Sequence, residues 1–241
     1  MNFLLLEAEE LGRDSCAALR GRRARHLREV LGAEVGQRLR AGVVDGPLGD
    51  AEVLRVDDDQ VDVRLDLRRQ PAPVHDVLLL AAPRPKVLLR MLSHAAAMGF
   101  AKIALFRSWR VDKSWLSSRA FEPTMQREQL LLGLEQSGRT VLPQIHTFDR
   151  FKPMIEDSLP DLGLPAQRFV AHPRAATQTS RIADLRGPFA LALGPDGGFV
   201  DYEVDKLQAA GFLPITMGPH ALRTEAALAA LWGQLALLRG D

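Results

Sequence analysis

The spacing of apolar positions changes character once along the chain, near residue 70. Before that point the apolar residues come in short, alternating runs. Val61, Val63, Leu65 and Leu67 alternate with Asp62, Arg64 and Asp66, the period of a half-buried strand. NFLLL, RLRAGVV and DAEVLRV read as further strands, with DGPLGD (45–50) and DDDQ (57–60) as turns. RRARHLREVL sets Leu27, Val30 and Leu31 at helical spacing. Short strands joined by tight turns predict a small barrel over residues 1–70. RRQPAPVHD (68–76), with its two prolines, is the best linker candidate.

Beyond the linker the runs lengthen. DVLLLAA is continuously apolar, as in a strand covered on both faces. KVLLRMLSHAAAM has a helical pattern and stops at Gly99, and PTMQREQLLLGLEQSG reads as a helix with proline near its start. KIALF, RFVA, FALALG and PITMG are strand-like. DYEVDKLQAAG is a helix closed by Gly211, and TEAALAALWGQLALL is a last helix with Thr224 as its N-cap. Strands alternating with helices predict a parallel α/β sheet over residues 71–241.

Composition narrows the classes. A chain 46% hydrophobic and 25% charged is that of an ordinary globular protein. No apolar run approaches the roughly 18 residues of a membrane span. The opening MNFLLLEAEE meets acids at once and lacks the basic start of a secretory signal. Cys16 is the single cysteine, which rules out an internal disulfide or a cysteine-based zinc site, so no metal is expected and a reduced cytoplasmic setting is. The net charge of +1 gives no global attraction to nucleic acid.

Local charge is less even. RGRRARHLR (20–28) carries five arginines and no acid, and RSWRVDKSWLSSR (107–119) interleaves Trp109 and Trp115 with Arg107, Arg110, Lys113 and Arg119. Cations among aromatics suit phosphate contact and base stacking. The same residues are open to a duller account: nearly all 31 basic residues are arginine, as a GC-rich coding sequence would give, and the tryptophans equally suit core or subunit packing.

Three short motifs carry candidate chemistry. GPDGGF (194–199) follows the strand FALAL and precedes a helix, where open α/β sheets bind ligands. Gly194, Gly197 and Gly198 allow positive φ and close approach of a ligand; a plain structural turn would use them equally well. MGPHALRTE (217–225) is a second such turn, placing helix-start N–H groups beside Arg223. His220 is a possible acid–base group, and Glu225 has an ordinary role beside the helix dipole. EQSGR (135–139) ends a helix at Gly138, with Gln136 and Arg139 too polar for core packing. Neither turn is a dinucleotide fingerprint or a P-loop.

Taken in order and spacing, EQSGR with Pro143, GPDGGF and LRTEAALAAL resemble the RsmE family, bacterial small-subunit ribosomal RNA (uridine-N3) methyltransferases of the SPOUT superfamily. RARHLREVL resembles that family's opening helix, so the likeness runs from about residue 20 to 235. The resemblance implies a PUA-like RNA-binding β-barrel (1–70), then a SPOUT domain (71–241) whose C-terminal trefoil knot holds S-adenosyl-L-methionine. It implies a homodimer acting on ribosomal RNA or the assembled small subunit. Carried onto this chain, the cofactor site would comprise Leu193, Gly194, Pro195, Gly197, Gly198, Met217, Gly218, Leu222, Arg223, Thr224 and Ala226. Arg223 would stabilise the uridine anion, and Glu225 or His220 would take its proton. Arg22, Arg23, Arg25, His26, Arg110, Gln136 and Arg139 would meet RNA.

The chain departs from the family pattern in four places. His94, Ala96 and Ala97 stand in the helix that usually reads Lys-Ala-Thr-Glu-Leu-Gly; Asp196 replaces a glutamate; His220 replaces an arginine; and RSWRVDKSW is an uncommon form of its loop. Three rivals remain: a catalytically altered or inactive RNA-binding or ribosome-assembly relative of the same fold, a methyltransferase with a different RNA target, and a nucleotide- or phosphate-dependent enzyme on an ordinary doubly wound sheet.

Overall fold

The computed structural model describes residues 3–182 and 185–240. They fall into two compact units, each with its own sheet. Among them no helix is long and apolar enough to cross a membrane.

The first unit comprises Met1–Pro73 and Leu131–Leu142. Its five strands are β1 (Phe3–Leu6), β2 (Cys16–Arg20), β3 (Arg38–Val43), β4 (Leu48–Val56) and β5 (Gln60–Arg69), in the order β1-β3-β4-β5-β2. The ladders are antiparallel except for β1, which joins β3 in parallel. Val61, Val63 and Leu65 face inward, as their alternation requires, and pack with Leu4, Leu6, Leu19, Leu27 and Val53. Each such side chain contributes about 1.5–3 kcal/mol by leaving water.

Helix α1 (Gly21–Arg25) continues through a wider turn, His26–Val30, in which Leu31 N–H bonds back to His26 O at 3.1 Å. The widening rotates the helical stripe: Leu27 is buried, but Val30 is 68% exposed, so the apolar spacing read from sequence does not hold there.

The EQSGR motif belongs to this unit. Gly138 takes a left-handed φ of 71°, as a helix-closing glycine does. Glu135, only 4% exposed, accepts from Arg22 Nη2 at 3.0 and 2.9 Å. Thr140 Oγ1 donates to Gly46 O at 2.8 Å.

The second unit comprises Val74–Leu130 and Pro143–Asp241. In chain order it holds β6 (Asp76–Ala81), α2 (Pro85–Met98), β7 (Phe100–Phe106), the start of α3 (Pro123–Ser137), β8 (Gln144–Phe148) and the single turn α4 (Phe151–Pro153). Then come β9 (Gln167–Ala171), β10 (Thr177–Gln178), β11 (Phe189–Leu193), α5 (Asp201–Ala209), β12 (Leu213–Thr216) and α6 (Thr224–Arg239). The seven strands run parallel in the order β10-β12-β9-β11-β6-β7-β8. β6 is buried along its whole length, which explains its unbroken apolar run. The predicted parallel sheet is present; β2, β8 and β10 carried no clear signal in the sequence.

The last helix starts differently from the expectation. Its cap is Arg223, in extended conformation, and Thr224 is the first helical residue. The Thr224 hydroxyl donates to Asp196 Oδ1 at 3.3 Å rather than capping its own helix.

Candidate functional site

The carboxyl ends of three neighbouring strands, β12, β9 and β11, open onto a cavity of about 230 Å³. Ala171 and His172 close β9, Leu193 and Gly194 close β11, and Ile215 to Met217 close β12; all of them line it. The strand ends of an open parallel sheet are where such folds place ligands.

GPDGGF forms one wall. Gly198, with φ of 71°, donates its N–H to Pro195 O at 2.7 Å and closes a tight turn. A Cβ on Gly194 would lie 3.0 Å from Phe199 N and 3.3 Å from Gly198 C, so a side chain would be crowded where the chain doubles back. Asp196 reaches away from the turn. It pairs with Arg84 Nε at 3.4 Å and accepts from Thr224, fastening the turn to the starts of α2 and α6.

MGPHALRTE forms the facing wall. Gly218 has φ of 143°, and the Thr216 hydroxyl both accepts from Gly218 N–H (3.3 Å) and donates to Gly218 O (3.0 Å). From α6 the stripe Thr224, Ala227 and Leu231 faces the cavity, at the three- and four-residue spacing of one helix side. Leu193, Phe199, Ile215, Met217, Leu222 and Leu231 make the walls largely apolar, with backbone at their edges.

Of the residues proposed from sequence for the cofactor, Leu193, Gly194, Pro195, Gly197, Gly198, Met217, Leu222 and Thr224 line this cavity. Ala226 is exposed and turned away from the stripe that Thr224 and Ala227 define, and Gly218 and Arg223 stand outside the walls. The sequence reading missed His172, Ala171, Thr216, Ala227 and Leu231. The last two were legible as the α6 stripe; His172 follows an ordinary strand and carried no signal. Burial, then the nearby Arg174 charge, pushes the His172 imidazole below its usual value.

The acid–base candidates separate. His220 lines the cavity. Arg223 is exposed between two lining residues, Leu222 and Thr224. Glu225 accepts from Arg90 Nη2 of α2 at 2.9 Å, and that hydrogen bond holds its carboxyl below the usual range. Of the positions departing from the family pattern, Ala96 is fully buried and His94 is exposed.

The proposed RNA contacts separate too. Arg22 is bound to Glu135, and Arg23 donates to the Glu10 carboxylate and to Leu5 O at 2.9 Å. Both arginines therefore hold the first unit together. Arg25 and Gln136 are exposed, while His26 and Arg139 are half-buried. Arg110 is exposed and donates to Gly197 O.

The RNA methyltransferase domain family matches residues 70–236. The chain is 30% identical to ribosomal RNA small subunit methyltransferase E of Treponema pallidum, over 95% of this chain and 88% of that one. In fold it matches the Neisseria gonorrhoeae ribosomal RNA small subunit methyltransferase E solved with S-adenosyl methionine (21% identity, 98% of each chain, TM-score 0.75). It also matches a Legionella pneumophila protein solved in complex with SAM (23% identity, 98% of this chain and 97% of that one, TM-score 0.75). A two-glycine-turn cavity on a parallel sheet, the domain match and the near-full-length relative agree, and the chain belongs to the ribosomal RNA small subunit methyltransferase E family.

Proposed function

We propose that the protein transfers a methyl group from S-adenosyl-L-methionine to N3 of a uridine in small-subunit ribosomal RNA. The observation that carries this reading is the cavity walled by GPDGGF and MGPHALRTE at three parallel strand ends. Its donor set fits the cofactor: apolar side chains suit the adenine faces, and glycine-rich backbone at the edges suits polar groups that need close approach. The cofactor, when bound, supplies an already activated methyl group on a sulfonium.

The protein's part is orientation and charge. Removing the N3 proton leaves negative charge on the flanking carbonyl oxygens. Arg223, exposed at the start of α6 between the lining residues Leu222 and Thr224, is the donor we assign to that charge. The proton acceptor is His220. It lines the cavity, whereas Glu225 is engaged by Arg90 and, held low, is a weakened base.

The wider reading is a SPOUT-type domain, residues 71–241, with a C-terminal trefoil knot, preceded by a PUA-like RNA-binding domain, residues 1–70, acting as a cytoplasmic homodimer. Support for the knot is the strand order: the chain leaves β11, passes to β12 on the far side of β9, and returns through α6 to the same cavity. Support for pairing of two copies is α6 itself, which leaves Leu237 78% and Leu238 37% exposed. Exposed Arg25 with Gln136 supports RNA contact by the first unit.

Nucleoside mass spectrometry of small-subunit ribosomal RNA, from a strain lacking the protein and from its parent, tests the reaction. Loss of 3-methyluridine, restored by complementation, is the expected result. Persistence of that nucleoside overturns the assignment and favours a relative with another target or none.

A further inference from the structure

After β7 the chain makes a closed turn, Ser108–Val111. Val111 N–H donates to Ser108 O at 3.2 Å, and both residues are buried, at 6% and 3% exposed. Trp109 and Arg110 are its two projecting residues. Trp109 is 84% exposed, more than any other large apolar side chain among the described residues. An indole in water leaves a large apolar face without a partner.

The turn is held from both sides. Trp109 N–H donates at 2.8 Å to the carboxylate of Glu203, which is 2% exposed and also accepts from Val200 N–H at 3.0 Å at the start of α5. The Arg110 guanidinium donates to Gly197 O in the GPDGGF wall. The Arg110 side chain packs against Gly197, where a Cβ would lie 3.2 Å from Arg110 Cδ. Arg107, just before the turn, is fixed by Nε to Asp149 O at 3.0 Å. Backbone bonds thus hold the indole out to solvent, at the same end of the sheet as the cavity and joined to one of its walls.

Charge decides what the indole meets. Arg110 and Lys113 are exposed beside it. Aromatic faces among cations suit unpaired bases and their phosphates, since every base has a π-face and every nucleotide a negative charge. An apolar protein partner would give those cations no role.

We propose that Trp109 is the stacking platform for an unpaired base of the RNA substrate, with Arg110 meeting the adjacent phosphate while it ties the turn to Gly197. The inference rests on the methyltransferase reading and adds to it a residue that positions the substrate.

The test compares Trp109→Ala and Trp109→Phe with the parent protein. Methyl transfer from labelled S-adenosylmethionine is measured on transcribed small-subunit ribosomal RNA and on purified small subunits. The Ala variant is expected to raise KM for RNA by roughly 5- to 150-fold, the range of one lost base stack, beyond any change in kcat, with most of it recovered by Phe. S-adenosylhomocysteine affinity by calorimetry and mass by light scattering stay as in the parent. Tryptophan emission of the parent is quenched by the same RNA, and that quenching is lost in Trp109→Phe. An unchanged KM, or a parent emission that RNA does not alter, overturns the proposal. A changed mass overturns it as well and makes Trp109 a contact between copies. If the parent binds S-adenosylhomocysteine yet methylates neither RNA, the methyltransferase reading falls; quenching by the same RNA still decides the stacking.

Discussion

Arg223, His220 and Glu225 lie within six residues of one another, and the structure gives each a different neighbourhood. Arg223 caps α6 from an extended backbone and is the one guanidinium of the MGPHALRTE turn. Its replacement by Ala is expected to lower kcat about 10²-fold, the scale of one lost charge-stabilising donor, with cofactor affinity by calorimetry little changed. Near-normal turnover would remove Arg223 from the chemistry. His220→Asn and Glu225→Gln form a pair. His220→Asn is expected to cost about 10²-fold or more in kcat. Glu225→Gln is expected to cost far less in kcat, because its carboxylate is already committed to Arg90. The opposite pattern would exchange the two roles.

At the scale of elements, the cavity depends on α6, whose first turns line it and whose last turn reaches the opposite ends of the strands. One end of α6 is fastened by Asp196, through Thr224 and Arg84. The other is fastened by Arg239, which donates to Asp76 at 2.8 and 2.9 Å and lies over the Phe189 ring at 5.0 Å. Asp76 is 5% exposed and also accepts from Phe189 N–H at 2.9 Å. Removing the guanidinium leaves a carboxylate buried with its charge unmatched. Arg239→Ala is therefore expected to destabilise the second unit by about 3 kcal/mol, read as a lower urea midpoint at unchanged slope. A shift under about 0.5 kcal/mol, the scale of a surface change, would show that the clamp contributes little.

For the whole molecule, acid is the informative perturbation. Glu10, Glu156 and Glu225 are each held below the ordinary carboxylate value, chiefly by hydrogen bonds from Arg23, Lys206 and Arg90. A depressed carboxyl contributes stability that is present above its unfolded value, about 4.3, and is lost as pH falls through the folded one. His172 is depressed by burial, so its neutral form is favoured in the fold. Its contribution is present above about 6.5 and wanes as the unfolded imidazole takes up a proton. Stability is expected to decline gently below about pH 6.5 and more steeply near pH 4. Urea midpoints across that range check it, and His172→Gln is expected to remove the gentle part alone. A rise in stability on acidification would contradict both assignments.

Most elements were legible because burial writes itself as a period: two in β5, an unbroken run in β6, and three-and-four spacing in α2 and α6. Where that pattern was weak the reading failed. The two short alternating residues of β2 gave no signal, and Val30 kept helical spacing while the turn widened and carried it into solvent. The two glycine turns could be read because positive φ and close approach demand glycine itself. What the sequence could not say was which distant groups meet. Arg22 and Arg23 look like any basic cluster until Glu135 and Glu10 are beside them, and Glu225 looks like a free acid until Arg90, 135 positions earlier, reaches it. Local pattern and residue chemistry thus determined the elements and the two glycine turns that line the cavity. Only tertiary structure decided which charges are tied up and which are left to act, because pairing depends on distance in space and not on separation along the chain.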